Sequence, residues 1–269
     1  MKLGFIGLGN MACAIIGGIL REGIAKPEEI IGSAKTEKTV RERGVQFGIE
    51  TCTDNRRIAK EADVLVLAVK PQFFPEVIAE IRDVLNEDTL VISVAAGKTI
   101  PYMEEQFGCK EKAKMIKLVR SMPNTPALVA AGCTGFCVNE NVNGEEKRLA
   151  EKLFSSFGKA IEVPERLMDT VGSVSGSSPA FVFMFIEALS DGAVAEGMSR
   201  AQALEFAAQA VYGSAKLVLE SGMHPGELKD MVCSPGGTTI QGVRTLEKGG
   251  MRSVVMDAVI ACVEKSKKL

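Results

Sequence analysis

The sequence predicts an α/β fold, in which a doubly wound, mostly parallel sheet is followed by an all-helical C-terminal part. A glycine-rich turn joins an apolar strand to a helix within the first two dozen residues. Two continuous apolar runs, over residues 63–69 and 89–94, are typical of strands buried on both faces of a parallel sheet. Beyond about residue 164 only helix patterns remain. The predicted domains are therefore residues 1–163 and 164–269.

The first turn carries a nucleotide-binding pattern. An apolar strand over residues 3–6 leads into Gly7-x-Gly9-x-x-Ala12 and then into an amphipathic helix. Gly7 permits the tight turn, Gly9 lets the backbone approach a pyrophosphate, and Ala12 lets the helix pack closely on the strand. The free N–H groups at the helix start face the phosphates. This indicates a Rossmann-type dinucleotide-binding unit, and an ordinary tight βα turn is the alternative.

The end of the second predicted strand, residues 28–33, bears on the choice of dinucleotide. NAD-binding folds usually place a carboxylate there for the ribose 2′-hydroxyl, but residues 32–36 have none. Hydroxyl groups and Lys35 suit a 2′-phosphate instead, and Arg56 and Arg57 add positive charge to the neighbourhood. We therefore favour NADPH, and NADH remains possible.

The following elements complete the sheet. We expect a helix over residues 36–43 closed by Gly44, a strand over residues 45–49, and a helix capped by Asp54. Residues 69–71 and 95–97 follow apolar strands, and ligands of open α/β sheets bind beyond the carboxyl ends of strands. A stiff turn over residues 120–126 is either a substrate or nicotinamide contact or a structural turn.

The helical part contains two polar helix-start patterns. Ser178 followed by Pro179 predicts an N-cap and first helical position, and residues 180–186 are apolar all round. About a hundred residues do not easily surround such a helix, so we expect an obligate dimer through this half. Residues 234–240 open another helix with a glycine pair and two hydroxyls, an arrangement that suits a carboxylate or phosphate. His224 before Pro225 is interpreted as a helix start rather than a catalytic group.

Composition excludes several classes of protein. The 269 residues carry 32 Lys and Arg against 34 Asp and Glu, with no basic block, which argues against nucleic-acid binding. The most apolar late run, residues 179–189, is too short to span a membrane. Seven scattered cysteines indicate reduced thiols in a cytoplasmic protein, and no metal-ligand spacing is present.

Taken together, these motifs resemble the pyrroline-5-carboxylate reductases, which catalyse the last step of proline biosynthesis. The resemblance runs from end to end, and its most specific parts lie in the helical half. The matching stretches are Phe5-Ile6-Gly7-Leu8-Gly9-Asn10-Met11-Ala12, Ala68-Val69-Lys70-Pro71, Ala95-Ala96-Gly97, Met122-Pro123-Asn124-Thr125-Pro126, Ser175-Gly176-Ser177-Ser178-Pro179-Ala180-Phe181, His224-Pro225-Gly226 and Ser234-Pro235-Gly236-Gly237-Thr238-Thr239.

The resemblance implies a Rossmann domain with a helical dimerisation domain, NADPH or NADH as hydride donor, and an active site shared across a homodimer. It implies cofactor contacts from Ile6, Gly7, Leu8, Gly9, Asn10, Met11, Ser33, Asn55, Ala68, Val69, Lys70, Pro71, Ala95, Ala96 and Gly97. Substrate contacts map onto Glu165, Gly237, Thr238 and Thr239, and Thr239 is the candidate catalytic residue. Met231, Ser178 and Ala34 depart from the residues usual in that family, which are Asn, Gly and a second serine.

Two other functions remain as alternatives. A β-hydroxyacid dehydrogenase has a similar N-terminal motif, but it carries a catalytic lysine on the first long helix after the Rossmann domain. Residues 172–192 contain no lysine. A non-catalytic NADP-sensing module is the second alternative, and a second anion-binding helix start would have no purpose in it.

Overall fold

The computed structural model describes residues 1–109 and 115–268. Residues 110–114 of the predicted first domain and Leu269 of the second lie outside this range. Within it, the strands form one sheet in the order β3-β2-β1-β4-β5-β6-β7-β8. All neighbouring strands are parallel except β6 and β7. The strands are β1 (Leu3–Ile6), β2 (Ile30–Ser33), β3 (Glu50–Cys52), β4 (Val64–Leu67), β5 (Leu90–Ser93), β6 (Lys117–Met122), β7 (Gly132–Val138) and β8 (Gly158–Glu162).

Helices alternate with these strands along the chain, as the predicted doubly wound α/β class requires. Three 3-10 turns also occur between the strands, at Pro27–Glu29, Pro71–Phe73 and Thr125–Val129. The helices are α1 (Asn10–Arg21), α2 (Glu37–Phe47), α3 (Asn55–Glu61), α4 (Phe74–Ile81), α5 (Ile100–Phe107) and α6 (Gly144–Ser155).

The central strands are buried on both faces because their side chains alternate between two cores. On β4, Val64 and Val66 face a core that contains the apolar residues of α1 and α6. Leu65 and Leu67 face a second core that contains those of α3, α4 and α5. The interpretation of residues 63–69 as a doubly buried parallel strand is therefore confirmed.

The rest of the chain is helical. A 3-10 turn (Glu165–Leu167), α7 (Met168–Val171) and a π-helix (Gly172–Ser177) lead without a break into α8 (Ser178–Ala195). The later helices are α9 (Arg200–Ser221), α10 (Pro225–Val232), α11 (Thr238–Lys248) and α12 (Met251–Ser266). The contacts divide the chain into two compact units. The first is Met1–Gly176 with the segment that begins at Cys262, and the second is Ser177–Ala261.

Three local expectations were wrong. Helix α2 passes through Gly44 and ends at Phe47, just before Gly48, whose φ of 67° is left-handed, so β3 begins at Glu50 instead of residue 45. Gly44 has a packing role, because a Cβ there would lie 2.7 Å from Oγ1 of Thr51. Ser178 is the first residue of α8 instead of its N-cap, since the π-helix before it keeps the backbone helical.

The third correction concerns the apolar run over residues 179–189. Because the helical path is continuous, Glu165–Ala195 forms a helix of 31 residues that is long and apolar enough, by length and composition, to cross a membrane. Only 6% of its most apolar window is buried within the chain. Most of this apolar surface is therefore exposed in the single chain.

Candidate functional site

The glycine turn after β1 has the geometry that phosphate binding requires. Gly7 has a φ of 95°, and its N–H donates to the carbonyl of Ser33 at 2.9 Å. A Cβ on Gly7 would lie 2.7 Å from the carbonyl oxygen of Ala68, so no larger residue fits. Gly9 precedes α1, and a Cβ on it would meet nothing within 4 Å. No side chain caps α1 and its first turn has no acidic residue, so its N–H groups can donate hydrogen bonds to an anion.

This turn opens into a cleft of about 560 Å³ at the carboxyl ends of the central strands. Six of the predicted cofactor residues line the cleft: Gly7, Leu8, Gly9, Asn55, Val69 and Lys70. Ile6 and Ser33 are the buried ends of β1 and β2, Asn10 and Met11 begin α1, and Ala68 and Pro71 flank Val69 and Lys70. The alternative of a plain tight turn does not account for a cleft of this size.

Ser33 and Asn55 meet at the edge of this cleft. The Ser33 hydroxyl donates to Oδ1 of Asn55 at 2.7 Å, and Nδ2 of Asn55 donates to Glu80 at 2.8 Å. Asn55 is the first residue of α3, which Asp54 caps as predicted by accepting the N–H of Arg57 at 3.1 Å. Two distant parts of the sequence are thus joined where the nucleotide cleft ends.

The positive charge of the cleft comes from a different arginine than expected. Arg57 forms ion pairs with Glu50 and Glu61, and Arg56 donates to the backbone carbonyl of Glu80 at 2.8 Å. Neither arginine lines the cleft. Lys35 does, as predicted, and so does Arg43 of α2, which sequence reasoning missed. The sequence signal that could have revealed Arg43 is its position seven residues after Thr36, at the start of α2.

The remaining predicted cofactor residues, Ala95, Ala96 and Gly97, line a second, smaller pocket of the first unit. Arg120, Met122, Asp169 and Ser266 also line it. The Arg120 guanidinium is almost fully buried and lies 3.1 Å from Glu165 and 3.5 Å from Asp169. Two half-buried carboxylates thus surround one buried cation beside this pocket.

Glu165, a predicted substrate contact, is held firmly in this cluster. Its Oε1 accepts the N–H of Ile100 at 2.6 Å and a guanidinium N–H of Arg120 at 3.1 Å. Ser266, in the last turn of α12, donates to Oδ1 of Asp169 at 2.8 Å. Burial raises the pKa of the nearby Cys137 thiol to about 12, and the negative charge of Glu165 adds to the effect.

The other predicted substrate residues lie in the second unit, at the start of α11. Gly236 has a φ of 70°, and Gly237 is the residue before the helix, with its N–H donated to the carbonyl of Ser234 at 3.0 Å. No side chain caps the helix, and Thr238 and Thr239 are exposed. Apart from the Gly237 N–H, the backbone N–H groups of the first turn and the two hydroxyls are therefore available to a small anion.

Two candidate residues have structural roles. Nδ1 of His224 accepts the N–H of Gly226 at 3.1 Å, so the predicted helix-start role of His224 is confirmed. Asn124, in the proline-flanked turn, donates to the carbonyl of Ser175 at 3.1 Å and accepts the N–H of Cys133 at 2.8 Å. The turn therefore anchors the π-helix to β7.

All seven cysteines are free thiols.

The strand order, the glycine turn and the cleft beyond the strand ends define the N-terminal part as a Rossmann-type dinucleotide-binding domain. A family model described as NADP oxidoreductase, coenzyme F420-dependent, matches residues 2–97, and one described as pyrroline-5-carboxylate reductase dimerisation matches residues 165–269. The pyrroline-5-carboxylate reductase of Escherichia coli K12 is 48% identical over 268 residues, covering 100% of this chain and 98% of the relative.

Solved structures agree. The pyrroline-5-carboxylate reductase of Coxiella burnetii matches with a TM-score of 0.90 at 37% identity, covering 99% of this chain and 97% of the other. The Plasmodium falciparum enzyme with NADP bound matches with a TM-score of 0.88 at 36% identity, covering 100% and 97%. The chain belongs to the pyrroline-5-carboxylate reductase family and is an oxidoreductase. The β-hydroxyacid dehydrogenase and sensor alternatives are not favoured.

The family match also explains the exposed apolar helices. The dimerisation model covers the whole apolar stretch Glu165–Ala195. Within the single chain, Phe183, Met184 and Phe206 are 62%, 68% and 67% exposed. Monomeric proteins rarely expose so much contiguous apolar surface. The chain therefore forms a homo-oligomer through its C-terminal dimerisation domain.

Proposed function

We propose that this chain reduces 1-pyrroline-5-carboxylate, a cyclic imine that carries a carboxylate, to L-proline. The observation that supports this most strongly is full-length similarity at 48% identity to a pyrroline-5-carboxylate reductase, together with a nucleotide cleft and a separate anion-binding helix start. The division of labour follows the predicted domains. Residues 1–163 bind the dinucleotide, and residues 164–269 bind substrate and dimerise.

NADPH is the proposed cofactor, and when bound it supplies a hydride to the imine carbon. The open space at Gly9 and the uncapped start of α1 fit a pyrophosphate. No carboxylate stands at the end of β2, where it would oppose a 2′-phosphate. The residues assigned to the cofactor are the fifteen from Ile6 to Gly97 named above.

The chain's own residues orient the substrate. Because a cyclic imine is partly protonated near neutral pH, no strong general acid is required, and the only histidine already caps α10. We assign the substrate carboxylate to the start of α11 at Gly237 and Thr238, where the N–H groups of the first helical turn are the donors, and the ring nitrogen to the Thr239 hydroxyl. The hydrogen bonds that hold Glu165 use Oε1, so we assign its Oε2 to the substrate.

The assembly is proposed to be at least a dimer in which α8 lies in the interface, because the surface of α8 is apolar and exposed. We also propose that the enzyme is cytoplasmic, because its seven cysteines are free thiols. No nucleic-acid or membrane partner is proposed. Replacing Phe183 by Glu should dissociate the oligomer, as measured by light scattering.

Turnover is tested by the fall in reduced-nicotinamide absorbance at 340 nm when the cyclic imine is added to enzyme and NADPH. We expect turnover with the imine and none with β-hydroxyacids and NADP. Tight NADPH binding without turnover of the imine would favour the sensor and contradict the proposal.

A further inference from the structure

One face of α2 forms a wall of the nucleotide cleft. Thr36, Thr39 and Arg43 all line the cleft, and their spacing of three and four residues places them on one side of the helix. Thr36 caps α2 by accepting the N–H of Thr39 at 3.3 Å, and the two hydroxyl oxygens lie 3.0 Å apart. This wall thus presents two hydroxyls and a guanidinium.

The part of the cleft lined by α4 and the residue before it has the opposite character. Phe73, Glu76, Val77 and Glu80 line it, which places apolar surface beside two carboxylates. A phosphate group is repelled by these carboxylates and attracted to cations. An anion that enters the cleft away from the glycine turn should therefore bind on the α2 wall.

Three cations line the cleft, and their surroundings differ. Lys35 and Lys70 are exposed, and the Lys35 ammonium lies over the Phe73 ring, 5.6 Å from its centroid. Arg43 is half-buried. Water screens a half-buried charge less than an exposed one, so we expect Arg43 to attract a phosphate more strongly than Lys35 or Lys70 does.

The hydrogen bonds of Arg43 leave most of its donors unused. Nη1 donates to Oε1 of Gln46 at 2.5 Å, but Nε is enclosed and has no hydrogen-bond partner among residues 1–109 and 115–268. In the same described range, no carboxylate forms an ion pair with Arg43. An enclosed, unpaired N–H is unfavourable, and a shift of the side chain toward a phosphate would relieve it.

We propose that Arg43 is a specificity-determining residue that selects NADPH over NADH by binding its 2′-phosphate, with Thr36 and Thr39 as hydroxyl partners. The planar guanidinium fork matches the geometry of phosphate oxygens. This inference rests on the proposed use of NADPH. It adds a residue outside the strand-end loop in which 2′-phosphate contacts were expected.

The test measures binding without turnover. Isothermal titration of the intact protein with 2′,5′-ADP and with 5′-AMP separates the 2′-phosphate from the rest of the nucleotide. For Arg43→Ala we expect 2′,5′-ADP to bind about tenfold to a hundredfold more weakly, as for the loss of a charge-assisted contact, and 5′-AMP to stay within about twofold. Arg43→Lys keeps the charge without the fork and should fall between.

Arg41→Ala is the matched control, because it removes the same charge from the same helix at an exposed position that does not line the cleft. It should leave both affinities within about twofold. Equal losses for 2′,5′-ADP and 5′-AMP in Arg43→Ala and Arg43→Lys would show that Arg43 only supports α2, and unchanged affinities would also overturn the proposal.

The same variants then distinguish this inference from the proposed reaction. The ratio of kcat/KM for NADPH to that for NADH should fall by about tenfold or more in Arg43→Ala. A wild-type protein that binds 2′,5′-ADP through Arg43 but never reduces the imine would refute the reaction alone. Turnover of the imine without any Arg43 dependence of 2′,5′-ADP binding would refute the role of Arg43 alone.

Discussion

The Ser33 hydroxyl donates to Oδ1 of Asn55 at 2.7 Å, across 22 residues of sequence. Because Nδ2 of Asn55 in turn donates to Glu80 at 2.8 Å, two hydrogen bonds connect the end of β2 with α3 and α4. Asn55 therefore joins the end of β2 to Glu80, which lines the nucleotide cleft. Its amide is needed in one orientation, with the oxygen toward Ser33 and the nitrogen toward Glu80.

Asn55→Ala should weaken NADPH binding by about fivefold to tenfold, the equivalent of one net hydrogen bond of about 1–1.5 kcal/mol. The value of kcat should change little, because Asn55 lies in the nucleotide cleft and not beside the pocket of Arg120. Fluorescence titration with NADPH measures the affinity. Asn86→Ala is the control, since Asn86 only donates to the carbonyl of Lys60 at the surface. Equal affinities for the two variants would contradict this prediction.

Two alanine substitutions in the glycine turn should affect different properties of the protein. Gly9→Ala should weaken NADPH binding, whereas Gly7→Ala should lower the free energy of unfolding. Gly9→Ala is expected to leave the free energy of unfolding within about 0.5 kcal/mol, because the backbone there has a φ of −77° and a Cβ meets nothing. It should still weaken NADPH binding by at least about tenfold, since the methyl group occupies the space of the pyrophosphate. Denaturant unfolding and NADPH titration measure the two quantities.

Gly7→Ala is the counterpart, with a left-handed φ and a clash with the Ala68 carbonyl. It should lower the free energy of unfolding by more than about 2 kcal/mol. If Gly9→Ala destabilised the protein as much as Gly7→Ala, the open space at Gly9 would be misassigned.

Arg120→Ala should destabilise the protein strongly. Removing the buried guanidinium leaves the half-buried carboxylates of Glu165 and Asp169 without their cation, a change that costs up to about 3–5 kcal/mol. Urea unfolding at one fixed protein concentration measures it, because oligomers gain stability with concentration. Lys147→Ala breaks only the exposed pair with Glu162 and should cost at most about 1 kcal/mol. Similar losses in both variants would contradict the role of Arg120.

The buried thiol of Cys137 should make the protein sensitive to alkali. Its pKa is raised to about 12 in the folded state, so between about pH 9 and 12 the unfolded chain loses this proton first. Stability should therefore fall as pH rises through that window, with a slope of at most about 1.4 kcal/mol per pH unit from this group. Cys137→Ala should reduce the slope of unfolding free energy against pH. An unchanged slope would show that Cys137 does not titrate in this way.

Much of the fold was readable from local patterns. The run over residues 63–69 revealed a doubly buried strand because apolar residues occupied both of its faces. The prediction that α2 ends at Gly44 was wrong, because a glycine that ends a helix and one that allows close packing look alike in sequence. The contact with Thr51, which decides between them, depends on the tertiary fold.

The sequence predicted the parts of the site that depend on backbone conformation. It did not predict the parts that depend on which side chains pair with one another. The positions of Gly7 and Gly9 followed from the strand–turn–helix pattern. By contrast, Arg57 was a plausible phosphate ligand until the structure placed it between Glu50 and Glu61. Nothing local marks Ser178 as the continuation of a π-helix, because a serine before a proline is also the pattern of a helix start.

Thr239→Ala provides the sharpest test of the chemistry. The Thr239 side chain is exposed, and in the described part of the chain its hydroxyl makes no hydrogen bond, so its loss should leave the free energy of unfolding within about 0.5 kcal/mol. If the hydroxyl positions the ring nitrogen of the imine, kcat should fall by about tenfold to a thousandfold. Thr239→Ser keeps the hydroxyl and should recover most of the rate.

Thr245 supplies the control on the same helix, because its hydroxyl only donates to the carbonyl of Gln241 at 3.0 Å. Thr245→Ala should therefore leave kcat unchanged. A lower kcat in Thr239→Ala together with full activity in Thr245→Ala and Thr239→Ser would separate a catalytic hydroxyl from a merely structural threonine. Unchanged steady-state kinetics in Thr239→Ala would instead remove Thr239 from the mechanism. The main contribution of α11 would then be orientation of the substrate by its backbone N–H groups.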